Sequence, residues 1–254
     1  MLLTNSQMKV LFQCVGGGPI DKAKIVVFGN ELGTAEGGGN TEATIKKFIA
    51  DWTSYETLKV GEGFVPLHIG NLPVNSIFLQ CISRMALAIR YKDNRFFDQL
   101  SLQGKLFLNK YILEELYRTE TAVINLKPLP QSTERHWDYE NIDESRYNSM
   151  FNFTLRNSPD SPWKQLRVSI LKEAFNMAKN ALILGAGDKH NKKAFLEMIF
   201  PDISFKSVNL SDKIQIYVSN SPKIVLSNYY SSYTGLGLDG LKLLYNYMSE
   251  NGIV

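Results

Sequence analysis

Cysteine is scarce in this chain, and the little there is excludes several chemistries. Cys14 and Cys81 are the only two in 254 residues, and neither has a CxxC or histidine-spaced partner. No metal site or iron–sulfur cluster can be assembled from them, so no cofactor is expected. In their apolar surroundings they read as buried free thiols of a reducing compartment. A long apolar run is also missing: no stretch approaches roughly 18 consecutive apolar residues, and no basic segment leads into a sustained apolar one at the start. A cytoplasmic protein with no membrane partner is the expectation. Charge of one sign is lacking too. The net charge of +3 and pI near 8.7 permit a nucleic-acid partner without demanding one. Internal repeats and low-complexity tracts are absent.

What is present is enough apolar material, 44% of the chain, to fill one large core. A single domain over 1–254, acting as a monomer, is expected. Short β-branched runs recur at 24–28, 121–125, 181–184 and 223–227, with a further strand or hairpin arm at 214–218. Helical spacing marks 41–52, 74–89, 105–117, 161–178, 190–200 and a last helix from Asp239. Ser161-Pro162 is a strong helix start, a serine cap followed by proline in the first turn. Gly16-Gly17-Gly18-Pro19 reads as a turn, 53–73 as an irregular connection, and the polar stretch 131–160 as a long surface loop or lid. Strands separated by helices predict an α/β fold: a three-layer αβα sandwich around a central, mainly parallel four-stranded sheet.

Each core strand ends in a polar or glycine-rich loop, and in a parallel sheet all these ends share one edge, where ligands bind. The first strand runs into Gly29-Asn30-Glu31-Leu32-Gly33, with Glu36 and Gly37-Gly38-Gly39 close behind. Glycine allows close backbone approach, and the following helix start suits an anion; an ordinary βα turn has the same composition. The second strand ends at Asn125, before Leu126-Lys127-Pro128-Leu129-Pro130. The third leads into Gly185-Ala186-Gly187-Asp188 and then Lys189, His190, Lys192 and Lys193. The fourth leads into Asn228-Tyr229-Tyr230-Ser231-Ser232-Tyr233.

With these four loops in order, the chain over about 24–250 resembles the uracil-DNA glycosylase superfamily. That superfamily has four parallel strands between helices, with a first motif after strand one and a second after strand four. Gly29-Asn30-Glu31-Leu32-Gly33 stands in the place of the Gly-x-Asp/Asn-Pro or Gly-Glu-Ala-Pro-Gly loop, with Leu32 replacing the usual proline. Asn125 looks like the residue that reads the flipped base, and Leu184-Gly185-Ala186-Gly187 like the family's Leu-Gly-Ala phrase. The His-Pro-Ser second motif is absent, and Asn228 or Tyr230 stands where its histidine would be.

The resemblance implies a monofunctional DNA glycosylase that hydrolyses an N-glycosidic bond and leaves an abasic site. It implies catalytic roles for Asn30, Glu31 and Glu36, and base contacts for Gly29, Gly33 and Asn125. DNA contacts are expected from Lys189, His190, Lys192, Asn228, Tyr229, Tyr230, Ser231, Ser232 and Tyr233, the tyrosines as a wedge and the cations on phosphates. In the strictest uracil enzymes a bulky tyrosine follows the catalytic residue and blocks substituents at pyrimidine carbon 5. Gly33 occupies the corresponding place here, so a 5-substituted pyrimidine is the expected target. Modified cytosine of phage DNA, hence antiviral defence, is one such case. A nucleotide- or sugar-processing α/β enzyme and a non-catalytic DNA-binding member of the same fold are the alternatives.

Overall fold

The computed structural model describes residues 1–18, 20–30, 46, 77–98, 120–131, 137–230 and 235–254. The strands are β1 (Gly16–Gly17), β2 (Ile25–Gly29), β3 (Thr121–Asn125), β4 (Leu182–Ala186), β5 (Lys206–Ser211), β6 (Ile214–Asn220) and β7 (Lys223–Ser227). They form one seven-stranded sheet in the order β1-β3-β2-β4-β7-β6-β5. The expected parallel core is its centre, since β3, β2, β4 and β7 pair in parallel. The four-stranded expectation is corrected: β1 adds antiparallel to β3, and the β5–β6 hairpin adds antiparallel to β7. Gly16 and Gly17, expected in a turn, are strand residues. A Cβ on Gly16 would collide with the Val123 carbonyl, so β1 can lie this close to β3 only as glycine.

The helices are α1 (Asn5–Gln13), α2 (Ile77–Tyr91), α3 (Glu144–Met150), α4 (Pro162–Met177), α5 (Lys189–Ile199) and α6 (Gly237–Glu250). Strand alternation divides the core between the two sheet faces. Ile25, Val27, Val123, Leu184 and Val225 face α2 and α6; Val26, Phe28, Ile124, Ile183 and Leu226 face α4 and α5. Both faces are covered, which is why these strands read as continuous apolar runs. Each fully buried side chain of this kind is worth about 1.5–3 kcal/mol. Phe28 sits edge-on to Phe175 at 4.9 Å and tilted to Phe195 at 5.8 Å, fixing β2 against α4 and α5.

Ser161 caps α4, accepting from the Lys164 amide at 3.0 Å, with Pro162 in the first turn as its sequence predicts. The segment expected as a surface loop or lid behaves differently over 137–160. It contains α3 and packs Tyr139, Tyr147, Met150 and Phe151 with Leu11 and Phe12 of α1 in a third apolar cluster. Aromatic residues spread among polar ones, with no regular period, concealed that core from a composition reading. The expected helix 105–117 and connection 53–73 lie outside the described residues, as does the expected helix 41–52 apart from Lys46. Among the described residues no helix is long and apolar enough to cross a membrane, and no group of three His, Cys, Asp or Glu is placed to hold a metal.

Candidate active site at the carboxyl edge of the sheet

The parallel pairing brings the ends of β2, β3, β4 and β7 to one edge of the sheet. Gly29 lies opposite Asn125, and Ala186 opposite Ser227. Asn30, one residue beyond β2, joins three of these ends. Its Nδ2 donates to the Tyr229 hydroxyl at 2.7 Å, and its Oδ1 accepts from the Lys192 ammonium. Lys192 also donates to the carbonyls of Ala186, at 2.9 Å, and Gly187.

Lys192 is fully buried, although it lies in the polar first turn of α5. Its ammonium stands 5.5 Å from the centre of the Phe28 ring, a favourable cation–π placement inside the core. Gly185 keeps the passage open, since a Cβ there would meet Leu226 and stand 3.4 Å from Lys192 Cδ. A buried ammonium is costly unless several acceptors surround it, and the carbonyls at the end of β4 supply that shell. The consequence is a fixed charge that sets which way the Asn30 amide faces.

Asn125 is 4% exposed and adjoins the Gly29 backbone: a Cβ on Gly29 would come within 2.6 Å of Asn125 Oδ1. Its Nδ2 is buried and, among the described residues, has no hydrogen-bond acceptor. Leaving a buried donor unmatched costs about 1–3 kcal/mol. Such an atom at a strand end suits a ligand carbonyl. The backbone beneath it is pinned by Arg167, which is fully buried in α4 and donates to the carbonyls of Phe12, Cys14, Asn125 and Leu126. Burial lowers the Arg167 pKa to about 10, so it stays charged at neutral pH. The residue before β1 contributes from the other side, where the Val15 carbonyl accepts from the Asn125 backbone N–H at 2.9 Å.

Two glycine positions set the remaining shape. Gly187 has φ +74 and faces the Tyr229 ring so closely that a Cβ would overlap it. The next residue, Asp188, takes a left-handed φ of +36 and caps α5 by accepting from the Asn191 amide at 3.3 Å. The β4–α5 turn is thus sculpted around Tyr229.

The expected DNA contacts divide. Lys189 and His190 are at the surface but turn toward β6: Lys189 Nζ donates to the Gln215 carbonyl at 2.6 Å, and His190 Nδ1 meets the Tyr217 hydroxyl at 3.1 Å. Burial lowers the Lys189 pKa. Asn228 and Tyr229 are half-buried at the edge. Lys192 and Tyr230 are corrections. Lys192 is an interior charge rather than a phosphate contact. Tyr230 is fully buried on the α2–α6 face, where burial raises its pKa and its carbonyl accepts from the Cys81 thiol at 3.2 Å. A wedge or a histidine substitute at Tyr230 is therefore excluded by burial.

Glu31, Gly33, Glu36, Ser231, Ser232 and Tyr233 lie outside the described residues. Arg167 belongs to no motif in the sequence. Its signal is position: it falls on the helical face of Leu171, Ala174 and Ala178, where an arginine is out of place unless it has acceptors. Against this geometry, no protein-family model, curated protein or solved structure matches the chain.

Proposed function

We propose that this protein is a monofunctional DNA glycosylase that removes an extruded pyrimidine, with a 5-substituted base as its target. The observation that carries the reading is the Lys192–Asn30–Tyr229 chain across the ends of β4, β2 and β7, beside the unmatched Asn125 amide. Base excision breaks the C1′–N1 bond, with its electron pair going to the base. Water adds to C1′, and its proton is finally carried by the released base. The transition state is cationic at the sugar and anionic at the base, so fixed donors aimed at the base are the largest aid the protein can supply.

Each residue has a part consistent with its partners. Lys192 holds Asn30 Oδ1, so Asn30 presents N–H to the Tyr229 oxygen. The Tyr229 oxygen accepts that bond, which makes its own O–H a stronger donor, the sense required at an oxygen gaining negative charge. Hydrogen bonds in such a chain strengthen one another, and the ammonium charge behind Asn30 adds to the effect. Tyr229 thereby takes the task that the missing histidine performs in the resembling family. Asn125 Nδ2 donates to a carbonyl on the base edge, a donor that suits a pyrimidine. Asn30 cannot act as a base, so activation of water is assigned, by the resemblance, to Glu31 or Glu36, which follow it in sequence. By the same resemblance, glycine at position 33 in place of a bulky tyrosine is what assigns a 5-substituted base.

The test is incubation with DNAs bearing uracil, thymine, cytosine and bulky 5-substituted cytosines, followed by measurement of free base and alkali-labile sites. Release of the bulky base with wild-type protein, lost in Glu31→Ala and Tyr229→Phe, is the expected result. Efficient removal of uracil with modified cytosine ignored would refute the substrate assignment. Release of no base from any DNA would refute the activity.

A further inference from the structure

The β5–β6 hairpin extends the sheet on the side away from β3, and its closed end lies on the same edge as Asn30. β6 pairs with β7 through Tyr217–Leu226, which puts Ile216 opposite Ser227 and carries Ile214 and Gln215 past the end of β7. The hairpin is two-faced. Val208, Leu210, Ile214, Ile216 and Val218 pack into the core on the α6 side. Ser207, Asn209, Gln215 and Tyr217 alternate with them on the α5 side, where Tyr217 meets His190. Between this polar face and the start of α5 lies a groove of about 610 Å³, lined by Lys189, Asn209, Ser211, Asp212, Lys213 and Gln215. That volume is within the range of roughly 300–1,000 Å³ typical of ligand sites.

The lining decides what the groove can hold. It offers two ammonium groups, two amides, a hydroxyl and one carboxylate, with no aromatic platform and no apolar wall. The lining supplies no ring on which a base could stack. Phosphates and sugars bind to ammonium, amide and hydroxyl donors, and such contacts fix register without reading sequence. Lys189 is held in place by the Gln215 carbonyl, so its charge sits at a defined point on the wall.

We infer that this groove holds the phosphodiester backbone of the strand that carries the target base, on the same sheet edge as Asn30, with β4 and β7 between β2 and the hairpin. The inference rests on the glycosylase reading and adds a hairpin surface to it. Asp212 is the one group in the lining that repels phosphate, which gives the idea a signed test.

The experiment is fluorescence anisotropy with labelled single-stranded and duplex DNA over about 50–200 mM salt, on wild type, Lys189→Gln, Lys213→Ser and Asp212→Asn. Each lysine variant should bind more weakly and lower the slope of log K against log salt by about 0.7 on single strands or 0.9 on duplex. Asp212→Asn should bind more tightly. Lys213 and Asp212 are exposed at the hairpin tip, so their variants keep the fold, which thermal melting verifies. Slopes equal to wild type in all three variants would overturn the groove while leaving base release intact. A wild-type protein that binds no DNA would remove the groove and the glycosylase reading together.

Discussion

Asn125 should separate stability from the proposed activity at a single side chain. Its buried, unmatched Nδ2 is a cost to the folded protein, so Asn125→Ala should change unfolding free energy by no more than about 1 kcal/mol. Base release should nonetheless fall by on the order of 100-fold, which urea unfolding and single-turnover kinetics on one preparation would establish. Arg167 is the opposite case. Arg167→Met leaves the carbonyls of Phe12, Cys14, Asn125 and Leu126 without their donor and should cost about 3 kcal/mol in the same unfolding experiment. The two cysteines belong to a third kind. Burial raises the Cys14 thiol to about 12 and the Cys81 thiol to about 11, so both stay protonated and shielded at neutral pH. Native protein should not react with a thiol reagent at pH 8, and two equivalents should appear on denaturation.

Among the elements, the strands were legible because burial on both faces writes itself as unbroken apolar runs. Asn125 was legible because prolines forbid continuation just past it. Lys192 was not: Lys189, His190, Lys192 and Lys193 look alike in sequence, and only the helix phase turns position 192 inward. Tyr229 and Tyr230 show the same limit, since adjacent residues at a strand end face opposite ways and composition does not say which is inside. Gly16 has the composition of a turn because no short-range signal reveals that its neighbour is the β3 backbone. At the amino edge of the sheet, Glu120 binds Lys24 at 2.6 Å and Arg90 at 3.1 Å, tying the strand starts to the end of α2. These partners, Lys24 first, lower the Glu120 pKa below its usual 4.5. The stabilisation is therefore present above pH 4.5 and lost as pH falls through the lowered folded value. Glu120→Gln should cost up to about 1 kcal/mol at neutral pH, and the difference from wild type should shrink on acidification in unfolding measured against pH.

At the scale of the whole molecule, tasks are divided between the two edges of the sheet. The amino edge carries an ion-pair clamp remote from the candidate site, and the carboxyl edge carries the unmatched Asn125 side-chain amide, the left-handed turn and the hairpin groove. On the glycosylase proposal, perturbing one edge should leave the other's property in place: Glu120→Gln should alter acid tolerance with base release retained, whereas Gly187→Ala should displace Tyr229 and end release in the same base-release assay. The lateral margins of the sheet have a consequence of their own. On one side, among the described residues, the last strand is β1, two glycines long; on the other it is β5, which begins with Lys206 and carries a bulge between Asn209 and Ser211. A short margin and a charged, bulged one are poor templates for strand addition by a second molecule. Concentrated solutions of the folded protein should therefore resist sheet-to-sheet polymerisation, and β5 should be the margin where replacing Lys206 by an apolar residue and removing the bulge first brings on fibre growth.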